Sequence, residues 1–140
     1  MTIGRLYEVP PSAEALLRTC NAVTEWYEAL AVLAVESAPT LDAEDALISW
    51  AELLPRNSVV GMLFSGSIAS PDTDNGDPVV TYVNPAMVKA VAEQLALLAK
   101  ADLEAQLGND AAASWLQEPL KQFLSEAANN DNGVVLVWGA

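Results

Sequence analysis

The sequence contains no histidine, a single cysteine and only six lysines and arginines among its 140 residues. Each shortage excludes a chemistry. Without histidine there is no imidazole proton shuttle, no Ser–His–Asp or Cys–His nucleophilic site and no His-containing zinc site. Cys20 alone can neither close an internal disulfide nor assemble a four-cysteine zinc or iron–sulfur centre, and it suits a reducing compartment. Neither a G-x-G-x-x-G pattern nor a G-x-x-x-x-G-K run followed by Ser or Thr is present, so the common phosphate cradles are missing. No apolar run approaches the roughly 18 residues needed to cross a bilayer. The opening MTIGRLYEV has one arginine with no long apolar stretch behind it, which argues against a secretory signal. A cytoplasmic protein is the expectation.

What the chain has in quantity is acid and apolar residues. Nineteen aspartates and glutamates face the six cations, a net charge of −13. Such a surface repels phosphate and anionic lipid, so neither a nucleic acid nor a membrane is expected as a partner. It attracts cationic proteins and raises their association rate, although acidity also serves solubility alone. The 52% hydrophobic fraction is enough for a packed core. The length fits one domain spanning residues 1–140.

Hydrophobic periodicity predicts the elements. Residues 2–9 alternate as a short strand, ended by Pro10-Pro11. Ser12 is placed to cap a helix running to about Ser37, with Leu16, Cys20, Val23, Tyr27, Leu30 and Ala34 on one face. Asp42 is the predicted cap of a second helix, with Ala46, Leu47, Trp50, Leu53 and Leu54 as its stripe and Pro55 as its end. VVGMLF after Ser58 fits either a helical turn or two, or a buried strand. Residues 65–78 read as a loop and 79–83 as a strand. Asn84-Pro85 starts a helix carrying Val88, Val91, Leu95 and Leu98. Asp102 caps a short helix ending at Gly108. A last helix from about Asp110 carries Trp115, Leu116, Leu120, Phe123 and Leu124, with Pro119 forcing a kink or a restart at Glu118. The closing VVLVW run, 134–138, is apolar on both faces and is expected at the centre of the sheet. The predicted fold is therefore α+β: a helix-rich single domain with a small, about three-stranded sheet of the N-terminal, middle and C-terminal strands.

Candidate sites are few. The loop residues Asp72, Asp74 and Asp77 are weak candidates for a metal, but the register fails an EF-hand: counted from Asp72, Gly76 falls at position 5 and Val83 at position 12. Asp42, Glu44 and Asp45 form the densest acidic group; capping with helix-dipole stabilisation accounts for them without catalysis, and they are candidates for contacting a cationic partner. Cys20 lies on an apolar stripe, the place of a structural cysteine. Of the four tryptophans, Trp26 is the predicted partner anchor, at the edge of the first helix's stripe with Glu25 and Glu28 beside it. No catalytic residue and no cofactor are predicted.

The order of elements resembles the bacterial YfbM-like family, a domain of unknown function. The resemblance rests on Leu41-Asp42 opening the second helix and on the apolar segment Val59 to Phe64. It continues through Thr81-Tyr82-Val83-Asn84-Pro85 leading into Val88, Leu95 and Leu98 before Asp102-Leu103, and the closing Gly133 to Trp138. It implies the family fold over most of the chain. Family members usually carry a Lys-Trp-His group just after the Leu-Asp. Here that stretch reads Ala43-Glu44-Asp45-Ala46-Leu47-Ile48-Ser49-Trp50, without Lys or His, so any role of that group is lost.

The expectation is a non-enzymatic acidic protein-binding domain, with an immunity or antitoxin-like protein neutralising a basic toxin as one form. Two alternatives stay open: an accessory module acting through oligomerisation, its oligomeric state undetermined, and a carboxylate-based enzyme or binder of a divalent cation or small molecule.

Overall fold

The computed structural model describes residues 3–21, 25, 26, 28, 29, 39–55, 57–69 and 79–139. Its elements run β1 (Ile3–Val9), α1 (Ala13–Leu17), β2 (Thr40–Asp42), α2 (Glu44–Leu53), β3 (Ile68–Ala69), β4 (Val79–Val83), α3 (Pro85–Leu97), α4 (Lys100–Leu107), α5 (Gln117–Asn129) and β5 (Gly133–Gly139). Two 3₁₀ segments, Gly61–Phe64 and Gly108–Leu116, fill connections.

The sheet has five strands in the order β2-β1-β5-β4-β3, every neighbouring pair antiparallel. This corrects the expected three-stranded sheet. The three anticipated strands form its middle, and two short edge strands were missed. Thr40–Asp42 spans three residues and Ile68–Ala69 only two, too short for alternation to show. Their backbones pair with β1 and β4, and Leu41 and Ile68 pack against the core on either side of the sheet.

Alternation along the central strands divides the core in two. Leu6, Val83, Val134, Leu136 and Trp138 face α2–α5. Val9, Val80, Tyr82, Val135 and Val137 face the other way, onto Ala13, Leu17, Trp26 and Ala29. β5 is thus buried on both faces, as its unbroken apolar run predicts. Within the first of these clusters, Phe64 meets Trp138 edge to face, ring centroids 5.5 Å apart.

Local chemistry sets the helix ends. Asn84 Oδ1 accepts from the Met87 amide at 2.9 Å and Pro85 takes the first helical position, as predicted for α3. At its other end, the buried Gln117 side chain donates to the Leu98 carbonyl at 2.8 Å. α5 restarts at Gln117, so Pro119 lies in its first turn, where a missing N–H costs nothing. The helix closes in a Schellman arrangement: Asn132 N–H donates to Ala127 O, Asp131 N–H to Ala128 O, and Asp131 takes φ +54°. The adjoining turn is held by Glu8, buried on β1, whose Oε2 accepts from Asn130 Nδ2 at 3.0 Å and Asn132 Nδ2 at 2.7 Å.

Several predicted ends move. The first helix stops at Leu17 instead of running to Ser37, and Ser12 makes no capping bond. Thr19 Oγ1 bonds the Leu16 carbonyl at 2.6 Å, giving the backbone a competitor to helical pairing. Helical geometry returns at Glu25, Trp26, Glu28 and Ala29, while the stripe positions Val23, Tyr27, Leu30 and Ala34 lie outside the described residues or their described side chains. VVGMLF resolves as the 3₁₀ turn. Asp102 sits inside α4, which begins at Lys100. Among the described residues, no helix is long and apolar enough to cross a membrane.

Candidate functional site

The start of α2 is pinned to the sheet. Ala43 N–H donates to the Gly4 carbonyl at 2.7 Å, and Asp42 Oδ1 accepts from the Glu44 amide at 3.1 Å. Gly4 is required by this approach, since a Cβ there would overlap the Glu44 carbonyl oxygen. Glu44 itself has φ +51°, a left-handed conformation uncommon for a residue with a side chain. Leu47 and Trp50 on the inner face are fully buried. The indole Nε1 of Trp50 donates to the Ala113 carbonyl at 2.9 Å, tying α2 to the 3₁₀ segment Gly108–Leu116.

Between these two elements opens a cleft of about 310 Å³. From α2 come Glu44, Asp45, Ala46 and Ser49; from the 3₁₀ segment come Asn109, Asp110, Ala112, Ala113 and Trp115. Three acidic residues thus share the lining with Trp115, which is 46% exposed, the most accessible of the described tryptophans. Among the described residues no three acidic or cysteine side chains converge tightly enough to hold a metal ion. The cleft sets anionic charge beside an aromatic face, which suits an organic cation.

The predicted site residues fall into two groups on opposite faces of the sheet. Glu44 and Asp45 line the cleft. Asp42 does not: it supplies the bond to the Glu44 amide and pairs across the β1–β2 ladder with Arg5. The Arg5 guanidinium is held more firmly in its charged form, first by its bond to the Tyr7 side chain and then by the charges of Tyr7 and Asp42. Trp26, the predicted partner anchor, is 2% exposed in the second core cluster and is unavailable to a partner. Its neighbours Glu25 and Glu28 are exposed, with Glu25 accepting from the Asn21 amide at 2.8 Å. Cys20 is half-buried against that cluster, its thiol directed to the Leu16 carbonyl. Asp72, Asp74 and Asp77 lie outside the described residues.

Asp110 and Trp115 are the lining residues that sequence reasoning missed. A signal for Trp115 existed: Leu116, Leu120, Phe123, Leu124 and Ala127 form a complete helical stripe, and Trp115 lies about 140° from Leu120 around an ideal helix. Asp110 carried none: it sits at a kink in the 3₁₀ segment, with a non-helical backbone at φ −101° and ψ 26°, and a single irregular residue has no periodic signature.

No protein-family model and no curated protein matches the sequence. Comparison with solved structures finds the crystal structure of YfbM from Escherichia coli, a protein of unknown function, at a TM-score of 0.71 over 97% of this chain and 99% of that one. The chain has the YfbM-like fold. Identity to the Escherichia coli protein is 14%, so the likeness concerns architecture and carries no activity across. The YfbM-like fold here is the antiparallel sheet with four helices packed on one face and α1 with the Trp26 segment on the other.

Proposed function

We propose that this chain is a non-enzymatic binding domain that recognises a cationic protein partner through the cleft between α2 and the 3₁₀ segment. The observation carrying the reading is the placement of Glu44, Asp45 and Asp110 around the exposed Trp115. Partner interfaces use a few aromatic anchors for affinity and complementary charge for rate, and both stand together here. The wider charge distribution supports it. Arg18, Lys100 and Lys121 each pair with a nearby glutamate, at 3.6, 3.9 and 3.0 Å, and none of the three lines the cleft. An immunity or antitoxin-like role, blocking a basic toxin, is the form of this activity that a small acidic domain serves most directly.

The test is affinity capture with the intact chain, comparing wild type with a Glu44→Gln, Asp45→Asn, Asp110→Asn triple variant. The expected result is one basic protein retained at low salt, released as salt rises, and lost from the triple variant. Recovery of the same protein by the variant, or a salt-insensitive partner, would refute the reading.

A further inference from the structure

The cleft's dimensions and lining narrow what part of a partner enters it. At about 310 Å³ it stands at the lower end of ligand sites, which run from about 300 to 1,000 Å³, and offers room for a side chain more readily than for a cofactor. Its acids come from two different elements, Glu44 and Asp45 from α2 and Asp110 from the 3₁₀ segment, and Trp115, Ala112 and Ala113 add apolar surface to the lining.

We infer that the occupant is an arginine side chain of the cationic partner, its guanidinium laid against the Trp115 indole and its N–H groups directed to the flanking carboxylates. This rests on the binding reading above. Charge complementarity selects a cation, and the remaining features select its shape. A guanidinium is planar and weakly hydrated, so it stacks on an aromatic face while its in-plane donors still reach carboxylates on either side. A lysine ammonium is a compact, strongly hydrated point charge that loses more by leaving water and gains nothing from the plane of the ring. A bare metal ion is disfavoured because the carboxylates border the cleft without converging on one point.

Two peptides identical except for a central arginine or lysine, flanked by glycines and blocked at both ends, provide the test. Each is titrated into the full chain while the four tryptophan indole N–H signals are followed by NMR, with Trp115 assigned from its loss in Trp115→Phe. The expected result is that the arginine peptide shifts the Trp115 signal and binds about five-fold or more tightly than the lysine peptide. Trp115→Ala should abolish the preference, and Trp115→Phe should retain part of it, separating loss of the ring from loss of fold. Equal affinity for the two peptides would overturn the arginine assignment while leaving a cationic partner intact. No Trp115 shift with either peptide up to about 50 mM, where a side-chain-sized contact of this kind must register, would overturn both.

Discussion

Tyr82 offers a test of the core on two independent readouts. Its side chain is fully buried, yet among the described residues its hydroxyl has no hydrogen-bond partner. Burying a hydroxyl unpaired costs about 1–3 kcal/mol, so Tyr82→Phe should recover part of that penalty. Loss of a single oxygen leaves too small a void to cancel the gain, and a net stabilisation of about 1 kcal/mol is expected, near 3 °C in Tm for a chain of this size. The second readout is alkaline stability. Burial, helped by the negative charge of Glu14, pushes the Tyr82 phenol up from 10.0 to about 12. A raised folded pKa means that the native state keeps a proton the unfolded state gives up. The contribution is whole below pH 10 and is lost as pH climbs towards 12, at up to about tenfold in the folding constant per pH unit. Urea unfolding of wild type and variant between pH 7 and 12 measures both effects. The variant should be the more stable at pH 7 and should lack that part of the alkaline decline. A variant less stable by 1 kcal/mol or more would show that the hydroxyl has a partner, such as an internal water, and would refute the reasoning.

Three further outcomes follow from the same packing. Thr81→Val removes a second buried hydroxyl that has no partner among the described residues, with little change of shape, and should raise stability by about 1 kcal/mol, read as a shift in urea midpoint at constant slope. Glu8→Ala deletes the acceptor shared by Asn130 and Asn132 and should cost about 2–3 kcal/mol by thermal unfolding, with Glu8→Gln costing less because one acceptor oxygen survives. Gly4→Ala forces a methyl against the Glu44 carbonyl and should cost about 1–3 kcal/mol or more, and by shifting the start of α2 it should also weaken partner capture.

The elements legible in the sequence were those whose signal is local and repeated. β5 declared its central place through five consecutive apolar residues, and Asn84-Pro85 declared α3 through cap and first-turn chemistry. The edge strands were illegible because Thr40–Asp42 and Ile68–Ala69 borrow their geometry from β1 and β4. Half of the cleft was legible for a misleading reason: Glu44 and Asp45 stood out as helix-start acids, yet nothing nearby pointed to Asp110, 65 residues beyond Asp45. Trp26 was misplaced because periodicity identifies a stripe without saying how much chain covers its edge, and here the sheet face of Val80, Tyr82, Val135 and Val137 covers it.

The hydrogen bond from Trp50 to Ala113 has a kinetic meaning. It joins the two elements that wall the cleft inside the core, and so restrains how far apart they can move. A site whose walls are already spaced has no closure step to wait for. Association should then follow a single exponential at every partner concentration, with salt acting on the forward rate and substitutions at Trp115 acting on the lifetime of the complex. The buried indole thus works as a strut, setting how far apart the exposed groups stand before any partner arrives.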